Sequence, residues 1–262
     1  MKFAWLCSHE SYQPEDLVDQ AVAAEEAGFD GVCCSDHLAP WWDPADGPPA
    51  GMEWPSVAEQ QARTREALEI IVRLLDGETV DYRGRYFRTE GARLYLRTEH
   101  RPPVFVSAFG PDSAAMAGQL ADGVWTLGDP TKAPVVIGAY RRACEEAGRE
   151  PGEIVVQGLM SWAETDEAAL ESSREWKGTL VDDNYAADVH DPAEVGRLGA
   201  DVSDTKWKLM SAVSSDPAVH VRQMKAMSAL GATAVAVMNV SGADPQGALH
   251  TYGREVLPRL RG

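Results

Sequence analysis

Short apolar runs alternate along this chain with amphipathic stretches, and that rhythm constrains the fold more than any other feature. Lys2–Cys7 is an apolar run of strand length. Pro14–Ala27 spaces its apolar residues as a helix does, with Pro14 suited to a first turn and Gly28 to a stop. Phe29–Cys34 reads as a second buried strand, and a proline- and glycine-rich stretch, Pro40–Gly51, follows it. Ser56 and Glu59 then make a capping box. The helix they open carries Leu68, Ile71, Leu74 and Leu75 on one face, has Ile70 as apolar surface beyond it, and stops at Gly77. Thr79–Tyr95 reads as an excursion with short extended pieces. Further strands are expected at Pro103–Ala108, Gly123–Leu127, Ile154–Ser161 and Thr233–Asn239. Helices are expected after Gly110-Pro111 and over Ala133–Ala147, Glu164–Leu180, Pro192–Val202 and Pro217–Leu230.

Strand-then-helix order implies a parallel sheet covered by helices, an α/β fold whose simplest form is a (β/α) barrel. A chain of 262 residues suits one such domain, which typically takes ~250. The strand count falls short: six core strands are legible, whereas a closed barrel needs eight. The shortfall lies between Pro40 and Ser56, where a loop passes straight into a helix. Two βα units of ~30 residues each are what that place lacks. The expectation is a single domain over 1–262, with 79–95 as an insertion.

Charge narrows the partners. There are 24 Lys and Arg against 41 Asp and Glu, a net charge of −17, which repels nucleic acid and anionic membranes. No segment nears the ~20 apolar residues of a membrane helix. The opening MKFAWLCSHESYQPED turns polar too early for a signal peptide, so the expectation is a cytoplasmic protein. Cys7, Cys33, Cys34 and Cys144 form no CxxC pair, which argues against a zinc site and for buried thiols acting as small apolar side chains. No metal is expected.

The residues best placed for chemistry follow strand ends. Ser35-Asp36-His37 and the nearby Trp41 and Trp42 come directly after the second strand. In a parallel barrel that is the face on which active sites form. A histidine there can exchange a proton near neutral pH, a neighbouring Asp can set its tautomer or bind a ligand, and indoles offer flat apolar walls. The same residues also suit a helix cap with packed indoles. Glu10 follows the first strand and is either a general acid with a raised pKa or a helix cap, as His9 is. Ser107-Ala108-Phe109-Gly110 lies between a strand and a helix start, where small residues let backbone amides approach a phosphate. Any tight βα turn wants the same glycine. Lys132 and Arg197 are either solvated charges or anion ligands. His100, His190, His220 and His250 lie in polar surroundings and read as surface residues, and the acidic stretch 163–175 as a solvated face.

The stretch SDHLAPW resembles the signature of the luciferase-like monooxygenase superfamily, in the branch that uses coenzyme F420 and includes F420-dependent glucose-6-phosphate dehydrogenases. The likeness extends through KFAWLCSHESYQPEDLVDQAVAAEEAGFD, ARTREALEIIVRLLDGETVDYRGRYFRTEGARLY, PPVFVSAFGP, ADGVWTLGDP and AVMNVSGADP. It implies a bacterial-luciferase-type (β/α)8 barrel and a deazaflavin at its carboxyl-end face. The reaction implied is hydride transfer between a secondary alcohol or sugar, including sugar phosphates, and carbon 5 of the deazaflavin. By the same resemblance His37 is the base for the hydroxyl proton, Glu10 matches an acid at the first strand end, and Asp36 touches the cofactor. Trp41 lines the site for cofactor and substrate, and residues 107–110 hold the phosphate-bearing tail. Lys132 and Arg197 fall near the family's phosphate-binding lysines, in loops that differ. The resemblance also implies a homodimer, with Ile70 part of the extra apolar surface on its helix.

Two departures stand out. The family's third and fourth strands, with the helix between them, should fall between Gly51 and Met52, together with a bulge carrying a non-proline cis peptide and a glutamate in a GTGE-like turn. None of these is in the chain. Either the native protein has a segment that this sequence lacks, or this is a deletion variant; exposed strand edges would be costly, which favours the first. The rival readings are an FMN-dependent monooxygenase of the same superfamily and a non-catalytic deazaflavin-binding relative.

Overall fold

In the computed structural model the described residues are 1–8, 12–35, 55–181, 192–242 and 244–262. In chain order the elements are β1 (Lys2–Cys7), α1 (Pro14–Ala27), β2 (Gly31–Cys34), α2 (Val57–Leu75), β3 (Val80–Arg83) and β4 (Arg88–Ala92). Next come β5 (Phe105–Ser107), α3 (Pro111–Leu120), β6 (Gly123–Leu127), α4 (Ala133–Glu146), β7 (Glu153–Ser161), α5 (Asp166–Glu171) and a 3-10 turn, Arg174–Leu180. The chain ends with α6 (Pro192–Ala200), α7 (Asp204–Met210), β8 (Ala212–Val213), α8 (Pro217–Ala229), β9 (Ala234–Asn239), α9 (Pro245–Thr251), a π-helical turn Tyr252–Val256, and α10 (Leu257–Arg261). Two units result: Met1–Met52 with Val156–Gly262, and Glu53–Val155.

The first unit holds parallel strands. β1 pairs with β2 on one side and β9 on the other, with Trp5 opposite Val32 and Val237, and β8 pairs with β7. Gly28 ends α1 at φ 90°, a left-handed conformation that glycine takes without a Cβ penalty, and its amide closes onto Ala24 and Glu25. The turn sends Phe29 into the core, where Trp5 meets it edge-on at 5.4 Å and Tyr252 stacks on it at 6.0 Å. Fully burying one such large apolar side chain contributes about 1.5–3 kcal/mol. His220 lies in the same cluster, wholly buried, with Nδ1 3.0 Å from the Tyr252 hydroxyl and Nε2 2.9 Å from the Ser214 carbonyl. Burial pushes its pKa below the ordinary histidine value. The surface reading of His220 is therefore corrected. Flanked by Val219 and Val221, it shares the inward stripe of α8 with Val221, Met224 and Met227.

β2 also departs from expectation. Only β1 pairs with it among the described residues, and Val32 is 50% exposed, with Cys34 exposed beside it. A strand paired on one side is an edge, so its apolar composition does not bury it. Cys7 and Cys144 are buried as expected, and Cys33 is half-buried.

The second unit joins β5 and β6 in parallel and packs α3 against α4. A Cβ on Gly118 would stand 2.6 Å from the Tyr140 carbonyl oxygen, which is why the helices close there over glycine. Arg149 reaches back to the Gly118 and Ala121 carbonyls at 3.0 and 2.7 Å and satisfies the end of α3. Ser56 caps α2 through the Glu59 amide. Ile70 is buried and Ile71 is 44% exposed, the reverse of the expected arrangement on that helix. The 79–95 excursion is an antiparallel hairpin of β3 and β4. Glu66 of α2 holds its turn by accepting the amides of Arg85, Tyr86 and Phe87 at 2.7–2.9 Å.

Candidate active site at the carboxyl ends of the strands

Parallel pairing puts the carboxyl ends of β1, β2, β7 and β9 on one edge of the first unit. The β1–β2 ladder continues to Ser35, whose amide donates to the Cys7 carbonyl at 3.4 Å. Ser35, at this carboxyl end of the sheet, immediately precedes Asp36-His37 in the sequence. Ser8, buried at the end of β1, immediately precedes His9-Glu10. Glu10, Asp36, His37 and Trp41 themselves lie outside the described residues.

The described part of this edge contains groups that the sequence reading did not single out. Tyr12 donates its hydroxyl to the Gly242 carbonyl, past the end of β9, at 2.5 Å. Burial pushes the Tyr12 phenol up to about 12, and the carboxylates of Asp244, Asp16 and Glu175 add to the shift. Glu175, in the 3-10 turn, keeps an exposed surface yet is crowded enough that desolvation raises its carboxyl. Ser241 donates to Asn239 and accepts the Trp162 amide at 2.8 Å. The Asn239 Nδ2 and Trp162 Nε1 donors are buried without a hydrogen-bond partner among the described residues. Position just past a strand end was the one sequence signal these residues carried.

In the second unit, Ser107 ends β5 exposed and Ala108 is wholly buried, its amide bound to the Trp125 carbonyl at 2.8 Å. Phe109 is 53% exposed. Gly110 is the N-cap of α3 in extended backbone, with nothing within 4 Å of where a Cβ would stand. Pro111 opens the helix, so the first-turn amides that face outward belong to Asp112 and Ser113. Such amides attract an anion, while the Asp112 carboxylate in the same turn opposes one. The structure thus keeps residues 107–110 together at a helix start, as the sequence suggested.

Lys132 is exposed at the start of α4, where its amide and that of Thr131 bind the Asp129 carboxylate at 3.0 and 2.7 Å. Desolvation raises that carboxyl, but the donors around it prevail and hold it below its ordinary value. Arg197 lies in the first unit on α6, its side chain 70% exposed and paired with Glu194 at 2.9 Å.

A family model described as luciferase-like monooxygenase matches residues 38–242. The F420-dependent glucose-6-phosphate dehydrogenase of Nakamurella multipartita is 29% identical over 331 aligned positions, covering 100% of this chain and 97% of that protein. The F420-dependent hydroxymycolic acid dehydrogenase of Mycobacterium tuberculosis is 28% identical over 318 positions, covering 97% and 87%. Among solved structures, an F420-dependent secondary alcohol dehydrogenase in complex with an F420-acetone adduct superposes with a TM-score of 0.91 at 23% identity, covering 100% and 99%. The coenzyme F420-dependent tetrahydromethanopterin reductase from Methanopyrus kandleri superposes at 0.77 with 19% identity, covering 99% of each chain. An alignment of 331 positions over a 262-residue chain leaves positions of the relative unmatched. Their number suits two βα units of ~30 residues each.

Proposed function

We propose, from the premise that this chain belongs to the luciferase-like monooxygenase family, that it catalyses hydride transfer between an alcohol carbon and coenzyme F420. Its fold is the family's (β/α)8 barrel, lacking about two βα units between Gly51 and Met52. It is an F420-dependent oxidoreductase acting on CH–OH groups of secondary alcohols or sugars. One observation carries this conclusion: the alignment takes in the whole chain and nearly the whole of F420-dependent dehydrogenases.

The β5–α3 turn fits the cofactor's phosphate-bearing tail, because the open space at Gly110 lets an anion approach the first-turn amides. Ser107, Ala108, Phe109 and Gly110 would hold that tail, with Asp36 and Trp41 beside the ring. When bound, F420 supplies a carbon that accepts or returns hydride. His37 takes the hydroxyl proton as the alcohol is oxidised, because carbon releases hydride only as that proton is lost. Glu10 serves as the second acid/base at the end of β1. Trp41 forms an apolar wall for the substrate, and Lys132 and Arg197 are the cations available to an anionic one.

In this reading residues 1–262 are one barrel domain with 79–95 as its insertion, and the protein works in the cytoplasm as a homodimer. The free cysteines support the compartment, since thiols persist where the medium is reducing. Ile70 is buried within the chain, so the extra apolar surface expected of it on α2 is not there.

Cofactor choice tests the proposal directly. F420 added to the purified protein is expected to quench tryptophan fluorescence saturably, and FMN is not. Quenching by FMN alone would move the assignment to a flavin monooxygenase. Quenching by F420 with no turnover across an alcohol panel would make it a binding protein.

A further inference from the structure

Three of the four cysteines meet at the ends of β1 and β2. The parallel register sets Cys7 opposite Cys34 and Leu6 opposite Cys33. Neighbouring strands lie about 4.7–4.9 Å apart, so the Cα atoms of such a pair fall within the about 4.4–6.8 Å that a disulfide spans. Partners directly opposite in a parallel ladder point to the same face of the sheet. For Cys7 that face is the one α1 covers. Its Sγ donates to the Leu17 carbonyl at 3.9 Å, and Trp5, two residues earlier, donates Nε1 to Gln20 at 3.4 Å. Cys34 therefore stands beside Cys7 on the α1 side, and Cys33 points to the other.

The two thiols differ in access. Cys7 is 4% exposed, whereas Cys34 is open to solvent on a strand that pairs only with β1 among the described residues. Burial pushes the Cys7 thiol up to about 11, with Cys34 adding to the shift, so Cys7 is not the group an oxidant meets first. Cys33 is no alternative partner for Cys34. Consecutive Cα atoms stand only ~3.8 Å apart, and their side chains leave opposite faces of the strand.

We propose that Cys34 and Cys7 are a peroxide-responsive thiol pair, in which exposed Cys34 reacts first and buried Cys7 closes a reversible disulfide across β1 and β2. The Cys34 sulfur attacks one oxygen of hydrogen peroxide, the O–O bond breaks, and one water leaves with a sulfenic acid formed at Cys34. The Cys7 sulfur then attacks the sulfenic sulfur. An S–S bond forms as the S–O bond breaks, and the hydroxyl departs as a second water with the Cys7 proton. Two thiols are thereby oxidised to one disulfide, and the peroxide is reduced to two waters. Cβ atoms held near the strand spacing sit wider than the about 3.5–4.5 Å of a relaxed disulfide, so the bridge belongs to the readily reduced kind. Such a bridge forms on exposure to oxidant and is lost again in a reducing medium.

Hydrogen peroxide added to the reduced, native chain tests it, with intact mass, peptide mapping and a thiol count after denaturation as readouts. The expected product is lighter by two hydrogens and yields a single Cys7–Cys34 peptide. Its thiol count falls from four to two, and dithiothreitol restores it. Cys33→Ser should form the same bridge. Cys34→Ser should slow the oxidation of Cys7 on the order of tenfold or more, because the accessible sulfur is gone. Cys7→Ser should stop at the Cys34 sulfenic acid, which dimedone traps. Cys34 is exposed, so its replacement leaves the packing in place and keeps the test readable even if Cys7→Ser does not fold. A bridge that includes Cys33, one that joins Cys34 of two copies, or oxidation of Cys34 with no bridge overturns the proposal. So does a native chain whose four thiols all survive.

Discussion

Under the proposed function His37 is the base, and its replacement has a defined signature. Hydride leaves the alcohol carbon as its proton is lost, so removing the base lowers turnover while leaving ring and tail contacts in place. His37→Ala is expected to reduce kcat by about 10²–10⁴, the usual worth of a general base. F420 affinity, measured by fluorescence, should change much less. If His37→Ala keeps full turnover and Glu10→Gln abolishes it, the base is Glu10. The motif itself was legible because it stands immediately after an apolar run, and Ser35 in the β1–β2 ladder places its start at a strand's carboxyl end. His220 was legible only in part. The i, i+4, i+7 spacing of His220 with Met224 and Met227 marks the inward face, but its partner Tyr252 lies 32 residues on and the bond between them is set by packing.

At the level of elements, apolar runs of five residues or more read through, and shorter or packing-dependent pieces did not. α1 begins and ends where Pro14 and Gly28 say it should. β8 spans two residues, too few to show any period, and was missed. The stretch Glu164–Leu180, read as one helix, divides into α5 and a 3-10 turn. The hairpin was visible as an excursion, but its anchorage was not, since Glu66 and the turn it holds are about twenty residues apart. Burial works to raise the Glu66 carboxyl, and the three backbone donors prevail and hold it low. A carboxylate depressed in the folded state stabilises above its unfolded pKa, about 4.3, and loses that contribution as pH falls through the folded value. Amide exchange at Arg85, Tyr86 and Phe87 is therefore expected to be slow at pH 7 and, after correction for intrinsic rates, less protected near pH 3. Glu66→Gln should lower protection at pH 7 on the order of tenfold and remove most of the pH dependence, because a neutral amide accepts more weakly than a carboxylate. Equal protection in both proteins at pH 7 would show that the strands hold the turn unaided.

For the whole molecule, the strand count and the family pattern agree on where two βα units are missing, and the exposed edge at β2 is the physical consequence. Cys34 reports on that edge. Burial pushes the Cys7 thiol up to about 11 and the Cys33 thiol up to about 12, each with help from neighbouring thiols, and neither forms a thiolate readily at pH 8. Exposed Cys34 should react first with a maleimide in the native 262-residue chain. In a protein carrying the intervening units its labelling should slow at least tenfold, because the next strand covers the edge. Equal labelling of both proteins would place the missing units elsewhere. The central claim, oxidation of an alcohol with hydride passed to F420, has a more direct test. The purified protein is mixed with oxidised F420 and a panel of secondary alcohols, sugars and sugar phosphates, and loss of the deazaflavin absorbance is followed. The account predicts alcohol-dependent loss of that absorbance under anaerobic conditions, with deuterium moving from the alcohol carbon to the cofactor. No reduction by any alcohol, together with FMN-dependent oxygen uptake, would contradict it.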